Sequence, residues 1–255
     1  MMRRTAVGIA VATVLMTAAT APGNQAPALT VFAAADLIFA FREMVPRFER
    51  ASRARVTLTI GSTGNFAHQI AAGAPADVFF SANEAYIDDL AASGHVIPDT
   101  RTLYAQGRLA LATGRRAGPQ LTDLRHLAEP RVRTIAIANP QHAPYGKAAE
   151  QALRAVGIWD RVKPKLVYGE NIRHTLQFLQ SGAADAGIVA LSVANVPEIV
   201  SIPVDPALHR PLNQVAVVVR RSAVPELGVA FIQFVIGREG RPIMKRFGFL
   251  LPGEF

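Results

Sequence analysis

Seven short apolar runs, rich in β-branched residues, recur along the chain: Leu29–Phe32, Val56–Ile60, Val78–Phe80, Leu109–Ala112, Thr134–Ala138, Gly187–Ala190 and Val215–Val219. Each has the length of a strand. The segments between most of them carry apolar residues at three- and four-residue steps, the spacing of one helix face. Leu37, Phe41, Met44, Val45 and Phe48 form one such face, and Ala148, Ala152, Leu153 and Val156 another. Leu176, Phe178 and Leu179 repeat it, as do Phe231, Phe234 and Val235. Pro46 falls inside the first of these helices, where it is expected to kink or shorten it. Strand alternating with helix predicts an α/β architecture with largely parallel sheets. At 255 residues the chain has room for one large domain or two lobes. No Ser/Gly linker and no internal repeat is visible, so two lobes would have to be joined by ordinary strands.

The first residues follow a different pattern. Arg3 and Arg4 precede an apolar stretch from Val7 to Met16, and Ala18, Ala19 and Ala21 then supply small residues. This is the layout of a secretory signal peptide, and the apolar run is short for a membrane span of about 20 residues. Residues 1–28 are therefore read as a removable export signal, which makes the mature protein periplasmic. Without Arg3 and Arg4 the formal net charge of +8 falls to +6. The basic residues, such as Arg101, Arg108, Arg131 and Arg161, are scattered singly with no interleaved aromatics, which argues against nucleic acid as a partner.

Several chemistries are excluded by what is missing. The chain has no cysteine, hence no disulfide, thiolate nucleophile or Cys-based metal site. It has no GxGxxG, P-loop or HExxH motif, and its six histidines never pair at ligand spacing. Gly61-Ser62-Thr63-Gly64 does not meet the five-residue GxSxG pattern of a nucleophile elbow. An exported hydrolase using Ser62 or Thr63 would need a base, and His68 is the nearest histidine in sequence.

What the chain does contain is a set of strand-to-helix junctions rich in small and hydroxylic residues. They are Phe32-Ala33-Ala34-Ala35-Asp36-Leu37, Gly61-Ser62-Thr63-Gly64-Asn65-Phe66, Asn139 through Lys147, and Gly169-Glu170-Asn171-Ile172-Arg173. A helix start offers unpaired N–H groups and the positive end of the helix dipole, which together suit an anion. Small residues let an oxyanion approach the backbone, and Ser62, Thr63 and Tyr145 add hydroxyl donors. The same residue types are also ordinary helix caps.

Six segments in order, spread from Leu29 to Phe249, carry a resemblance. Besides the first two junctions they include Gln69-Ile70-Ala71-Ala72-Gly73-Ala74-Pro75-Ala76-Asp77-Val78-Phe79-Phe80-Ser81-Ala82, Asn139-Pro140-Gln141-His142-Ala143-Pro144-Tyr145-Gly146, Gly169-Glu170-Asn171-Ile172 and Ser181 through Leu191. With these the chain resembles the molybdate-binding components of bacterial ABC transporters, periplasmic binding proteins of the type II bilobal class. The resemblance implies an α/β fold of two lobes, each a mainly parallel sheet flanked by helices, with the ligand cleft between them. Lobe 1 would comprise 29–107 plus 220–255, and lobe 2 would comprise 108–219. It implies a non-enzymatic capture protein for molybdate, or tungstate, working as a monomer with a membrane permease and a separate ATPase and needing no cofactor. The oxyanion would be held by neutral donors at Ala35, Asp36, Ser62, Thr63, Tyr145 and Ile172, the last through its main-chain N–H. Molybdenum would be present only within the bound molybdate.

Asp36 departs from that pattern, because several relatives offer a hydroxyl or amide donor there. An ionised carboxylate about 4 Å from a dianion, at an effective dielectric of about 20, would be repelled by roughly 8 kcal/mol. That is comparable to the whole free energy of micromolar binding. Either Asp36 turns away as the helix N-cap and offers only its N–H, or it accepts a proton from a protonated, phosphate-like oxyanion.

Overall fold

The computed structural model describes residues 26–116 and 118–255. Residues 1–25, most of the export signal read above, lie outside it. Strand β1 (Ala28–Ala34) is followed by a 3-10 turn, Ala35–Leu37, and helix α1 (Ile38–Ser52). Then come β2 (Arg55–Gly61), α2 (Thr63–Ala71), β3 (Val78–Ser81), α3 (Glu84–Ala92), β4 (Thr102–Gly107) and β5 (Leu109–Gly114). The chain continues through β6 (Ile135–Ala138), α4 (Pro144–Ala155), α5 (Trp159–Val162), β7 (Leu166–Gly169), α6 (Ile172–Gln180), β8 (Ala186–Ala190) and β9 (Ile199–Pro203). It ends with β10 (Leu212–Val218), α7 (Pro225–Ile236) and α8 (Gly240–Arg246).

The strands form two five-stranded sheets, ordered β2-β1-β3-β10-β4 and β7-β6-β8-β5-β9. In each, the first two pairings are parallel and the last two antiparallel. Each lobe is thus a mixed sheet of one shared pattern, mainly parallel, in which one strand, β10 or β5, runs against the other four. Antiparallel order enters with β10 and β5, which run against their neighbours after the chain has crossed between lobes. Those crossings lie at Arg108, between β4 and β5, and at 204–211, between β9 and β10. The strand Leu212–Val218, assigned by sequence to the second lobe, therefore belongs to the first. Its apolar run carries no mark of the crossing that precedes it.

Alternation along β1 sends Leu29, Val31 and Ala33 into a core under α1, α7 and α8, and Phe32 into a second core on the other face. α1 buries Ile38, Phe41, Met44 and Phe48, close to the face read from its sequence. It is not shortened at Pro46, which lies on its exposed side, and it runs on to Ser52. The lost hydrogen bond is outweighed by packing beyond the proline, where the Phe48 ring meets Phe231 edge-on at 5.0 Å. A third core fills the second lobe and also takes in Ala34, Ala35, Ile38 and Ala82 of the first. The two lobes are therefore packed against each other at the ends of β1 and β3. No helix among the described residues is long and apolar enough to cross a membrane.

Candidate functional site

Four strand-to-helix junctions converge at this lobe boundary. They enclose a small cavity, partly open to solvent, and all six candidate residues line it: Ala35, Asp36, Ser62 and Thr63 from the first lobe, Tyr145 and Ile172 from the second. Ala34, Gly61, Ala82, Ala143, Pro144 and Asn171 complete the wall, which contains no lysine, arginine or histidine.

Local chemistry selects the donors that remain available. At the start of α6, the Asn171 side chain caps the N–H groups of Arg173 and His174, both at 3.0 Å. The N–H of Ile172 is the first-turn donor left over, and it lies on the cavity wall. Thr63 Oγ1 accepts from the buried N–H of Ala82 at 3.0 Å. Its own hydrogen meets no acceptor among the described residues.

Ser62 is engaged differently. Its hydroxyl donates across the cleft to the carbonyl of His142 at 2.6 Å, and the same carbonyl accepts from Gly64 N at 2.9 Å. A side chain at Gly64 would place its Cβ 2.7 Å from that carbonyl oxygen, so this close approach requires glycine. His142 Nδ1 lies 2.9 Å from Ser62 Oγ. With the serine hydrogen spent on the carbonyl, Nδ1 must be the donor in that contact. It cannot then act as a base toward Ser62. His68, the base named for a hydrolase, is exposed on α2 and makes no hydrogen bond to Ser62 or Thr63.

Asp36 is not an N-cap. It lies within the 3-10 turn, whose preceding residue is Ala34, and its side chain makes no capping bond. Its carboxyl instead enters a buried polar network. Oδ2 accepts from Gln214 Nε2 at 2.6 Å and from Tyr145 Oη at 2.9 Å, while Oδ1 is buried with no partner. Tyr104 donates to Gln214 Oε1 at 2.7 Å, which fixes the amide so that Nε2 faces Asp36. The other Nε2 hydrogen goes to Tyr145 Oη at 2.9 Å. Ser192, from the second lobe, donates to the main-chain carbonyl of Asp36 at 2.9 Å.

Burial pushes the Asp36 carboxyl up from 3.8 to about 6, against the lowering effect of the Gln214 and Tyr145 hydrogen bonds. Burial, with the nearby Asp36 charge, holds the phenols of Tyr104 and Tyr145 well above the ordinary range, so both stay neutral. Gly107 admits the Tyr145 hydroxyl, because a Cβ there would stand in its place. Tyr104, Gln214, Ser192 and His142 were not found from the sequence. Each acts from an element remote from its partner, and only the His142 neighbourhood carried a recognisable motif.

Comparison with known proteins bears on most of the chain. Residues 29–250 match the family model described as bacterial extracellular solute-binding protein. The molybdate-binding protein ModA of Azotobacter vinelandii is 30% identical over 233 residues, covering 88% of this chain and 90% of that protein. ModA of Rhodobacter capsulatus is 32% identical over 218 residues, covering 82% of each. The solved Azotobacter vinelandii periplasmic molybdate-binding protein superimposes with a TM-score of 0.81 at 32% identity, over 88% of this chain and 99% of that one. On its sequence, its paired mixed sheets and the cavity between them, the chain belongs to the bacterial extracellular solute-binding proteins.

Proposed function

We propose that this protein is an exported receptor that captures molybdate, with tungstate as the other candidate ligand, for an ABC transporter. The observation that carries the reading is the wall of the interlobe cavity, which gathers hydroxyl and main-chain donors from four junctions and no basic side chain. The relatives of similar length that are molybdate-binding proteins supply the ligand class. Such a wall suits an ion held by its oxygens, through Thr63 and the N–H groups of Tyr145 and Ile172, with Ala35, Asp36 and Ser62 beside them. The protein makes no bond to the metal and performs no reaction. Selectivity against sulfate follows from size, because a smaller ion leaves rigid donors unpaired. The partners are a membrane permease and a separate ATPase, the receptor is a monomer, and residues 1–28 direct it to the periplasm.

Titration calorimetry of the chain without residues 1–28, against molybdate, tungstate, sulfate and phosphate, tests this. Binding of molybdate or tungstate, with sulfate much weaker, is the expected result. A second reading rests on the unpartnered Oδ1 of Asp36 as a hydrogen-bond acceptor, and makes the ligand a protonated, phosphate-like oxyanion. Phosphate binding more tightly than molybdate would select it.

A further inference from the structure

We infer that Asp36 meets the bound molybdate as a carboxylic acid, donating a hydrogen bond from Oδ1, so that capture of the dianion takes up one proton from solvent. The inference rests on the molybdate reading and deepens it. The geometry assigns the proton to one atom. Oδ2 already accepts two hydrogen bonds, from Gln214 and Tyr145, whereas Oδ1 is buried, has no partner and belongs to a residue of the cavity wall. A proton on Oδ1 turns that orphaned acceptor into a donor on a residue of the cavity wall. It also removes the like charge that would otherwise repel a dianion.

Among the described residues, no other group around the carboxyl can neutralise it. Tyr145 of α4 and Tyr104 of β4 are neutral phenols, and Gln214 of β10 and Ser192 carry no charge. The first turn of α1 is apolar, and β2 ends in Gly61, followed by Ser62. On α6 the residue at the cavity is Ile172, while Arg173 and His174 line a separate surface pocket with Glu170. His142 is held at Ser62 through its Nδ1 and its carbonyl, and makes no hydrogen bond to Asp36. The weakened acidity of the ligand-free carboxyl agrees with this picture, and an adjacent dianion pushes it further in the same direction. The step balances: ionised Asp36, one proton from water or buffer and molybdate give the acid hydrogen-bonded to a ligand oxygen.

Calorimetry with molybdate at pH 8, in two buffers of different ionisation enthalpy, counts the protons. The wild-type protein is expected to take up about one proton per ion, and its affinity to fall about tenfold per pH unit between pH 7 and 9. Asp36→Asn keeps an acceptor for Gln214 and Tyr145 and places an amide donor where Oδ1 stood, so its binding is expected to be independent of pH with no uptake. Wild-type binding without uptake overturns the inference and leaves the molybdate reading intact. Uptake that persists in Asp36→Asn assigns the proton elsewhere, with His142 the next group, and also overturns it. Absence of molybdate binding to either protein at any pH overturns both. Should the variant not fold, the wild-type proton count alone decides.

Discussion

Asp36 holds its proton more tightly in the folded protein than in the unfolded chain, and stability must follow. Its carboxyl lies at about 6 when folded against an ordinary 3.8, because burial penalises the charged form. The stabilisation is therefore fully present below about pH 4, is lost as pH rises through 6, and is flat beyond. A shift of that size corresponds to roughly 3 kcal/mol. Asp36→Asn is expected to be more stable than the wild type by about that amount at pH 7.5 and to differ little at pH 4, read from urea unfolding of the ligand-free proteins. Thr63 carries a different expectation. Removing its hydroxyl in Thr63→Ala takes away one donor to a charged ligand, worth about 1.5–3 kcal/mol, so molybdate affinity should fall at least tenfold. It also unpairs Ala82 N, lowering stability, whereas Thr63→Ser should restore both.

Helix α6 shows how a single cap can serve both folding and binding. Asn171→Ala leaves two first-turn N–H groups without their acceptor, and is expected to lower stability by about 1 kcal/mol in denaturant unfolding. Asn171→Asp should keep the cap yet weaken anion capture, because it sets a carboxylate at the rim of the cavity. The elements themselves were read unevenly from the sequence. All seven apolar runs became strands, but β4, β7 and β9 were missed, and each is an edge strand. With one neighbour instead of two, an edge strand is shorter or more polar, as Thr102–Gly107 and the four residues Leu166–Gly169 illustrate. Asp36 before Leu37-Ile38 looked like a cap because a short turn, invisible in the residue pattern, comes first.

At the scale of the molecule, two lobes are joined by one residue at Arg108 and by 204–211, and they meet through His142, Tyr145 and Ser192. Gly64→Ala forces a Cβ against the His142 carbonyl and should hold the lobes apart. The expected outcome is weaker ligand binding and a larger radius of gyration in small-angle scattering, with the circular dichroism of each lobe unchanged. The sequence revealed the four junctions because each is a local word, and their meeting at one cavity agrees with that reading. It did not reveal Gln214, which lies 178 residues from Asp36, because a strand read into the wrong lobe cannot be seen to approach. The neutral wall of the cavity has one more consequence. A pocket lined by a lysine or arginine would shed that residue's small-ion atmosphere on loading, but here nothing is exchanged, and the protein simply acquires the charge of its cargo. Filled and empty molecules should therefore separate by electrophoretic mobility, and the gap between them should be one charge narrower wherever a hydrogen ion has travelled in alongside.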